Sequence, residues 1–417
     1  MIAFHYPPLQ GGSGIQRTLG FTRHLAQSGW EPLVLTVSPG AHERIAADAA
    51  GAADRQSAEN CCPVHRAFAL DTGRHLAVGG RYPGLLALPD RWISWWLSAV
   101  PAGLRLIRRY RPHLIWSTYP IATAHLVALA LHRASGLPWI ADQRDPMLDT
   151  GYPEDARKRR LHAWIEHRTA RHCAATVCTT PGAVRALGMR HPQAAHRIHL
   201  IGNGYDDTAF RAAELALPPP PGGRQPFTLL HSGVIYPSER DPAPLLQALA
   251  RLQAQGVIDA ASFRLILRAS GHAQYLKLLI DRHPGLDRLV QLAPPLAYRD
   301  ALQEMLAADG LLLLQAANCN DQIPAKLYEY LRARRPVLAL TDAAGDTANA
   351  LRLAGIDTIA PLDRADAIAA ALCRFLTLAQ QGAAPLAGAA AIASHARAAR
   401  ARDLAALFDT IHDQEPS

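Results

Sequence analysis

No stretch of this 417-residue chain approaches eighteen uncharged apolar residues, so no membrane-spanning helix is expected. The opening MIAFHYPP has neither a basic region nor a small-residue cleavage site. No secretory signal is therefore expected, and the chain reads as cytoplasmic. Cysteine is scarce and scattered: Cys61 and Cys62 are adjacent, Cys173 and Cys178 lie five apart, and Cys319 and Cys373 are isolated. None has zinc-ligand spacing, and a chain this long without an export signal does not depend on a disulfide framework, so all six are read as reduced thiols. There is no GxGxxG, no DxD-like pair and no His/Asp constellation of the kind that holds a metal ion. Aromatics make up only 6% of the chain and do not interleave with its basic runs in a nucleic-acid pattern, which argues against a nucleic-acid surface.

What is present is enough apolar material, 49% of residues, for two domains of ordinary size, each with its own core. The formal charge is +8 and the pI about 9.4. Much of the positive charge sits in the runs 105–111, 157–160 and 397–402, all in helical contexts. They read as solvated helix faces, with a patch for an anionic membrane surface as the alternative. Trp92, Trp95 and Trp96 form the one aromatic cluster and are expected on one helical face, serving either a core or an acceptor or lipid contact.

Strand and helix patterns alternate along both halves, as in parallel sheets covered on both faces. In the first half, strands are expected at 1–6, 32–36, 113–117, 137–142, 175–178 and 197–201, with only connecting helices and loops over 40–90. Between the first strand and a helix from about Ile15 lies the glycine-rich loop PPLQGGSG, in which Gly12 and Gly14 either allow a close backbone approach to a ligand or merely permit a tight turn. The fourth of these strands empties into Asp142-Gln-Arg-Asp-Pro146, charges crowded at a strand's carboxyl end. They read equally as a catalytic rim or as a self-neutralising ion network. LPPPPGGRQP at 217–226 is the clearest linker. The domains are therefore set at 1–216 and 227–390, followed by a helical tail at 391–417.

The chain is organised around 320–340, NDQIPAKLYEYLRARRPVLAL. The apolar run Gly310-Leu-Leu-Leu-Leu-Gln315 is a buried strand. A polar loop follows, then a helix that Asn320 or Asp321 is expected to cap, with Pro324 in its first turn, and then the strand 337–340. Such a helix N-terminus points from the carboxyl edge of the sheet, where phosphorylated ligands bind. Asp321 and Glu329, eight positions apart, are placed to clamp vicinal diols. On spacing alone they are as readily a cap and one half of an ordinary Lys326/Glu329 surface pair.

This stretch resembles the signature of family 4-like retaining glycosyltransferases of the GT-B fold, in which an acidic residue, seven residues and a Glu precede a turn ending in Pro; here the first acid is Asp321. FHYPPLQGGSGIQR, ADQRDP (where the family has ADFRDP), NGYD at 203–206 and the restart at Phe227 resemble further segments in family order. The resemblance implies two doubly wound Rossmann-like domains facing across a cleft, with the C-terminal helix crossing back to the first. It implies transfer of a hexose-type sugar from a nucleotide diphosphate sugar to a glycan or lipid-linked acceptor of surface polysaccharide synthesis, with retention and without a metal ion or other cofactor. Peripheral contact with an anionic membrane would accompany such a role, and no nucleic acid. By resemblance, Glu329 holds the nucleotide ribose, Asp321 the hexose, and Arg240 with Lys326 the diphosphate. Gly12, Gly14, Gly233, Ile323, Pro324 and Leu327 complete the donor site, and Asp142 and Asp145 orient the acceptor or the hexose. Val234 stands where the family has a diphosphate-binding Arg, Gln143 replaces an aromatic, and Met147 stands where Trp is common. The family's first strand also starts several residues earlier, which implies a start upstream of Met1. The alternatives are a sugar-nucleotide epimerase on the same fold and a non-catalytic sugar-nucleotide-binding scaffold.

Overall fold

A computed structural model of the protein describes residues 1–9, 13–42, 61–79, 81–217 and 225–414. The chain divides into two compact units, Met1–Asn203 with Arg397–Ser417, and Gly204–Ala396. In the first unit the strands are β1 (Val34–Val37), β2 (Val64–Ala67), β3 (Ile115–Thr118), β4 (Trp139–Gln143), β5 (Ala175–Cys178) and β6 (Ile198–Leu200). All pair in parallel. Ile2 bridges both Leu35 and Ser117, so the chain start lies between β1 and β3 and joins the pieces into one order, β2, β1, Ile2, β3, β4, β5, β6. The expected first strand over 1–6 is thus only a short bridge. Phe4 leaves the ladder to pack its ring against Trp92 and Trp95, with centroids 4.9 and 5.3 Å away.

The second unit holds β7 (Phe227–Ser232), β8 (Phe263–Arg268), β9 (Val290–Ala293), β10 (Gly310–Leu314), β11 (Val337–Leu340) and β12 (Ile359–Ala360), in the all-parallel order β12-β11-β10-β7-β8-β9. Its continuous apolar strands have a direct cause. Leu312, Leu314, Leu338 and Leu340 face one core, and Leu311, Leu313, Val337 and Ala339 face the other. With both faces of the sheet covered, every position along the strand must be apolar.

The chain changes unit between Asn203 and Gly204, upstream of the proline run. The helix Asp207–Glu214, placed with the first domain on sequence, lies in the second unit. Its Phe210 and Ala213 are buried in that core, and Arg332 pairs with Asp207 at 2.9 Å and Glu214 at 2.6 Å. Most of the linker, 218–224, falls outside the described residues. The expected tail helix is two helices, Ala389–Ser394 in the second unit and Arg397–His412 in the first. The latter buries Leu404, Phe408 and Ile411 against Phe21, Trp116 and Ile140.

Candidate active site

Each sheet has the strand order of a doubly wound fold, and ligands of such sheets bind beyond the carboxyl ends of the strands where the order reverses. In the second unit that point lies between β7 and β10. β7 ends at His231-Ser232-Gly233, and His231 is fully buried. Its Nδ1 lies 2.9 Å from the Leu312 carbonyl, which can only accept, so Nδ1 carries the proton. Nε2 therefore accepts from the Lys326 ammonium at 3.0 Å. Burial, and then Lys326, hold His231 well below the ordinary histidine range and so neutral. Lys326 itself is pushed down to about 7 by burial and by Arg240, with Glu329 acting in the opposite direction. Gly233 has φ 113°, and a Cβ there would stand 3.0 Å from Lys326 Nζ. The glycine thus serves both the turn and the passage of the ammonium. Tyr330, buried below, accepts from the Ser232 N–H at 3.0 Å.

Arg240 closes the short helix Pro237–Arg240. It donates to the Val234 carbonyl at 2.9 Å and lies over the Tyr236 ring, so this cation is fixed by the backbone of the residue that replaces the family's Arg. Glu329, half-buried on the helix Lys326–Ala333, accepts from the Tyr298 hydroxyl at 2.9 Å. Asp321 is exposed in the turn before that helix. The turn is held by Gln315, whose amide donates to the Cys319 and Gln322 carbonyls at 2.7 and 2.9 Å. The helix starts later than the sequence suggests. Its N-cap is Ala325, with no side-chain cap, while Asn320 donates instead to Asp342 at 2.6 Å and Pro324 precedes the helix. Leu327 turns its side chain into the core and its N–H to the Pro324 carbonyl, and Ile323 packs against the same core. Leu327 is buried with its N–H already bonded, whereas Ile323 is half-buried.

In the first unit Gly12 lies outside the described residues. Gly14 stands in the first turn of the helix Ser13–His24, and the space a Cβ would need there is filled by the Arg144 guanidinium. The glycine makes room for an arginine of the chain itself. Asp142 is fully buried and accepts from Arg17 at 2.8 Å and from Thr118 at 2.8 Å. Arg17 also donates to the Ile201 and Gly202 carbonyls at 2.9 and 2.8 Å. Asp142 therefore presents no group to solvent and acts through Arg17. Asp145 is about half exposed and is paired with Arg144. His5, pushed down to about 4 by burial and then by Arg144 and His42, is neutral beside them. Gln143 is buried, with no partner for either amide atom among the described residues, and Met147 is buried against Tyr119 and Ile165.

The sequence reading missed Arg17, Arg144, His231, Tyr298 and Tyr330. Arg17, three residues after the glycine loop, and Arg144, within the charge-crowded segment after β4, carried a local signal; the others acquire meaning from packing. Among the described residues no group of three His, Cys, Asp or Glu is arranged to hold a metal ion. A cavity of about 680 Å³ lies at the opposite, amino edge of the first sheet, lined by Trp30, Pro112 and Phe408 among others, and contains none of these candidates.

Residues 12–204 match the family described as "Glycosyl transferase 4-like domain". No curated protein matches the chain. Among solved structures, a glycosyltransferase from Rickettsia africae shares 11% identity with a TM-score of 0.65, covering 99% of each chain. Sucrose-phosphate synthase from Thermosynechococcus elongatus shares 16% with a TM-score of 0.66, again covering 99% of each. HepE of Anabaena in complex with UDP-glucose shares 15% with a TM-score of 0.57, covering 99% of this chain and 97% of its own. At such identities the likeness shows the fold: the chain has the GT-B fold, and its residues 12–204 match a glycosyl transferase 4-like domain.

Proposed function

We propose that the protein transfers a hexose-type sugar from a nucleoside diphosphate sugar to a glycan or lipid-linked acceptor of surface polysaccharide synthesis, with retention and without a metal ion. The observation that carries this reading is the pair of cations Lys326 and Arg240 at the switch point of the second sheet, beside a helix N-terminus that no side chain caps. A departing nucleoside diphosphate develops negative charge on its phosphate. Two preorganised cations stabilise such charge more in the transition state than in the ground state. Glu329, already hydrogen-bonded by Tyr298, is the acceptor for a ribose diol, and Asp321 is the acceptor for hexose hydroxyls. Within the first unit, Asp145 and Arg144 are the groups for orienting the acceptor, and Asp142 positions Arg17. HepE, which shares the fold, carries UDP-glucose in its own structure, and retention rests on the resemblance of the acidic pair.

The test is a thermal-shift screen against UDP, GDP, ADP and their common sugar conjugates, with Glu329→Ala and Asp321→Ala alongside. A ligand that binds only the folded protein adds about 2.7 kcal/mol at one hundred times Kd. The expected result is a shift with one nucleotide family, lost in Glu329→Ala and reduced for the sugar conjugate alone in Asp321→Ala. No shift with any nucleotide would remove the transferase reading and leave the fold.

A further inference from the structure

Exposed large apolar side chains are concentrated in one short stretch of the first unit. Phe68 is 60% exposed, Val78 85%, Leu85 70%, Leu86 46%, Trp96 37% and Leu97 70%. Elsewhere such residues occur singly, as Met189 and Leu353 do, or in close pairs, as Val234 with Tyr236 and Leu296 with Tyr298. The stretch is held together by its own hydrogen bonds. Thr72 Oγ1 donates to the carbonyls of Leu86 and Arg91 at 2.7 and 3.0 Å, Ser98 Oγ donates to the Phe68 carbonyl, and Ser94 Oγ accepts from the Leu70 N–H at 2.8 Å. These bonds fix the apolar side chains on an ordered scaffold.

Within the described stretch the exposed charge has one sign. Between residues 60 and 141 the only acids are Asp71 and Asp90, and both are buried. Asp71 caps a helical turn by accepting from the Gly73 N–H, and Asp90 accepts from Thr123 and from the Trp92 N–H. Arg74 and Arg81 are exposed within the stretch. The helix Trp95–Tyr110 continues the pattern. Trp95, Ala99, Gly103 and Leu106 are buried, whereas Leu97, Pro101, Arg105, Arg108 and Arg109, at helical spacing, line its exposed side. One face of one helix thus starts apolar and ends basic over roughly 24 Å. Two tryptophans expected to share a face are split by this geometry: Trp95 is in the core and Trp96 faces out.

We infer that this face, residues 68–109, docks on an anionic lipid bilayer, with Leu85, Leu86, Trp96 and Leu97 entering the interface and Arg74, Arg81, Arg105, Arg108 and Arg109 meeting lipid phosphates. Exposed apolar side chains interspersed with exposed arginines, with no exposed acid between residues 61 and 141, match the two forces that hold a peripheral protein at a membrane: apolar burial and attraction to anionic headgroups. The helix starts on the carboxyl edge of the first sheet, the edge where Asp145 and Arg144 lie, because it enters β3 from its other end. Docking would therefore bring that edge to the lipid surface. Only this last consequence, delivery of a lipid-linked acceptor, rests on the proposed function.

The experiment is co-sedimentation of the full chain with phosphatidylcholine vesicles containing or lacking phosphatidylglycerol, at low and high salt. Three variants accompany it: Leu85→Ser/Leu86→Ser/Leu97→Ser, Arg105→Gln/Arg108→Gln/Arg109→Gln, and Arg157→Gln/Arg160→Gln on another helix. The expected result is partitioning onto anionic vesicles that falls about tenfold in each triple variant and at high salt, with the double variant like wild type. Melting temperature and nucleotide-induced shift should stay unchanged in all three. No partitioning, equal partitioning onto neutral vesicles, or indifference to either triple variant would overturn the assignment. Because nucleotide binding is read separately, loss of the transferase reading would not be mistaken for loss of this one.

Discussion

Lys326 is one of three lysines in the chain, with Lys158 and Lys277, among 43 basic residues. Against so strong a preference for arginine, an ammonium at this position is a chemical choice. It is compact enough to sit between His231 Nε2 and the bare Cα of Gly233, where a guanidinium would need more room. It can also lose its charge. Burial and Arg240 push it down to about 7, against the pull of Glu329, so near neutral pH the free site is only partly charged. Its folded-state value lies below the 10.5 of an ordinary lysine, so the ammonium costs stability below pH 7, and that cost is relieved as pH rises from 7 toward 10.5. An anionic ligand favours the charged form. UDP affinity should therefore be level below pH 7 and fall by up to about tenfold per pH unit above it, with one proton taken up on binding. Lys326→Arg, whose charge is permanent, should flatten that profile even where it weakens binding. Calorimetric titration from pH 6 to 9 reads both. A level wild-type profile would mean that Lys326 does not meet the phosphates.

At the scale of elements, Arg17 fastens the helix Ser13–His24 to the end of β4 through Asp142 and to the chain leaving β6 through the Ile201 and Gly202 carbonyls. Removing one partner of a buried pair leaves the other charge uncompensated, at a cost of about 3–5 kcal/mol. Asp142→Ala should lose that much in denaturant unfolding of the first unit, and Arg17→Met/Asp142→Leu should recover most of it. Loss of activity without loss of stability would instead give Asp142 a direct ligand contact. Asp142 also shows where the sequence was informative. The crowding of charge after β4 was visible, but whether it met a ligand or an internal partner depended on Arg17, 125 positions away. The second sheet was legible because strands such as Gly310–Leu314 are apolar at every position, a pattern fixed by burial on both faces. β2 was not: VHRA lies at the sheet's edge, three of its four residues are only half-buried, and no apolar pattern is demanded of it. The late start of the helix Lys326–Ala333 escaped for another reason. Asn320 has two outlets, capping or Asp342, and only the fold shows which is near.

The whole molecule is unequal in its dependence on the chain order. The second unit is one continuous stretch, Gly204–Ala396, with its own six-stranded sheet covered on both faces. The first is incomplete without the last helix, whose Leu404, Leu407, Phe408 and Ile411 cover Phe21, Trp116 and Ile140. Burying four such side chains is worth about 6–12 kcal/mol, comparable with the 5–15 kcal/mol that holds a whole domain. Truncation after Ala396 should therefore unfold the first unit and spare the second, leaving one cooperative thermal transition and amide protection confined to 204–396. The isolated fragment 204–396 should fold by itself. If Lys326, Arg240 and Glu329 carry the nucleotide, it should bind UDP within about tenfold of the full chain, since these contacts all lie within the fragment. A fragment that folds without binding would place essential nucleotide contacts in the first unit. A fragment that does not fold would mean that the boundary at 203 and 396 cuts through a shared core.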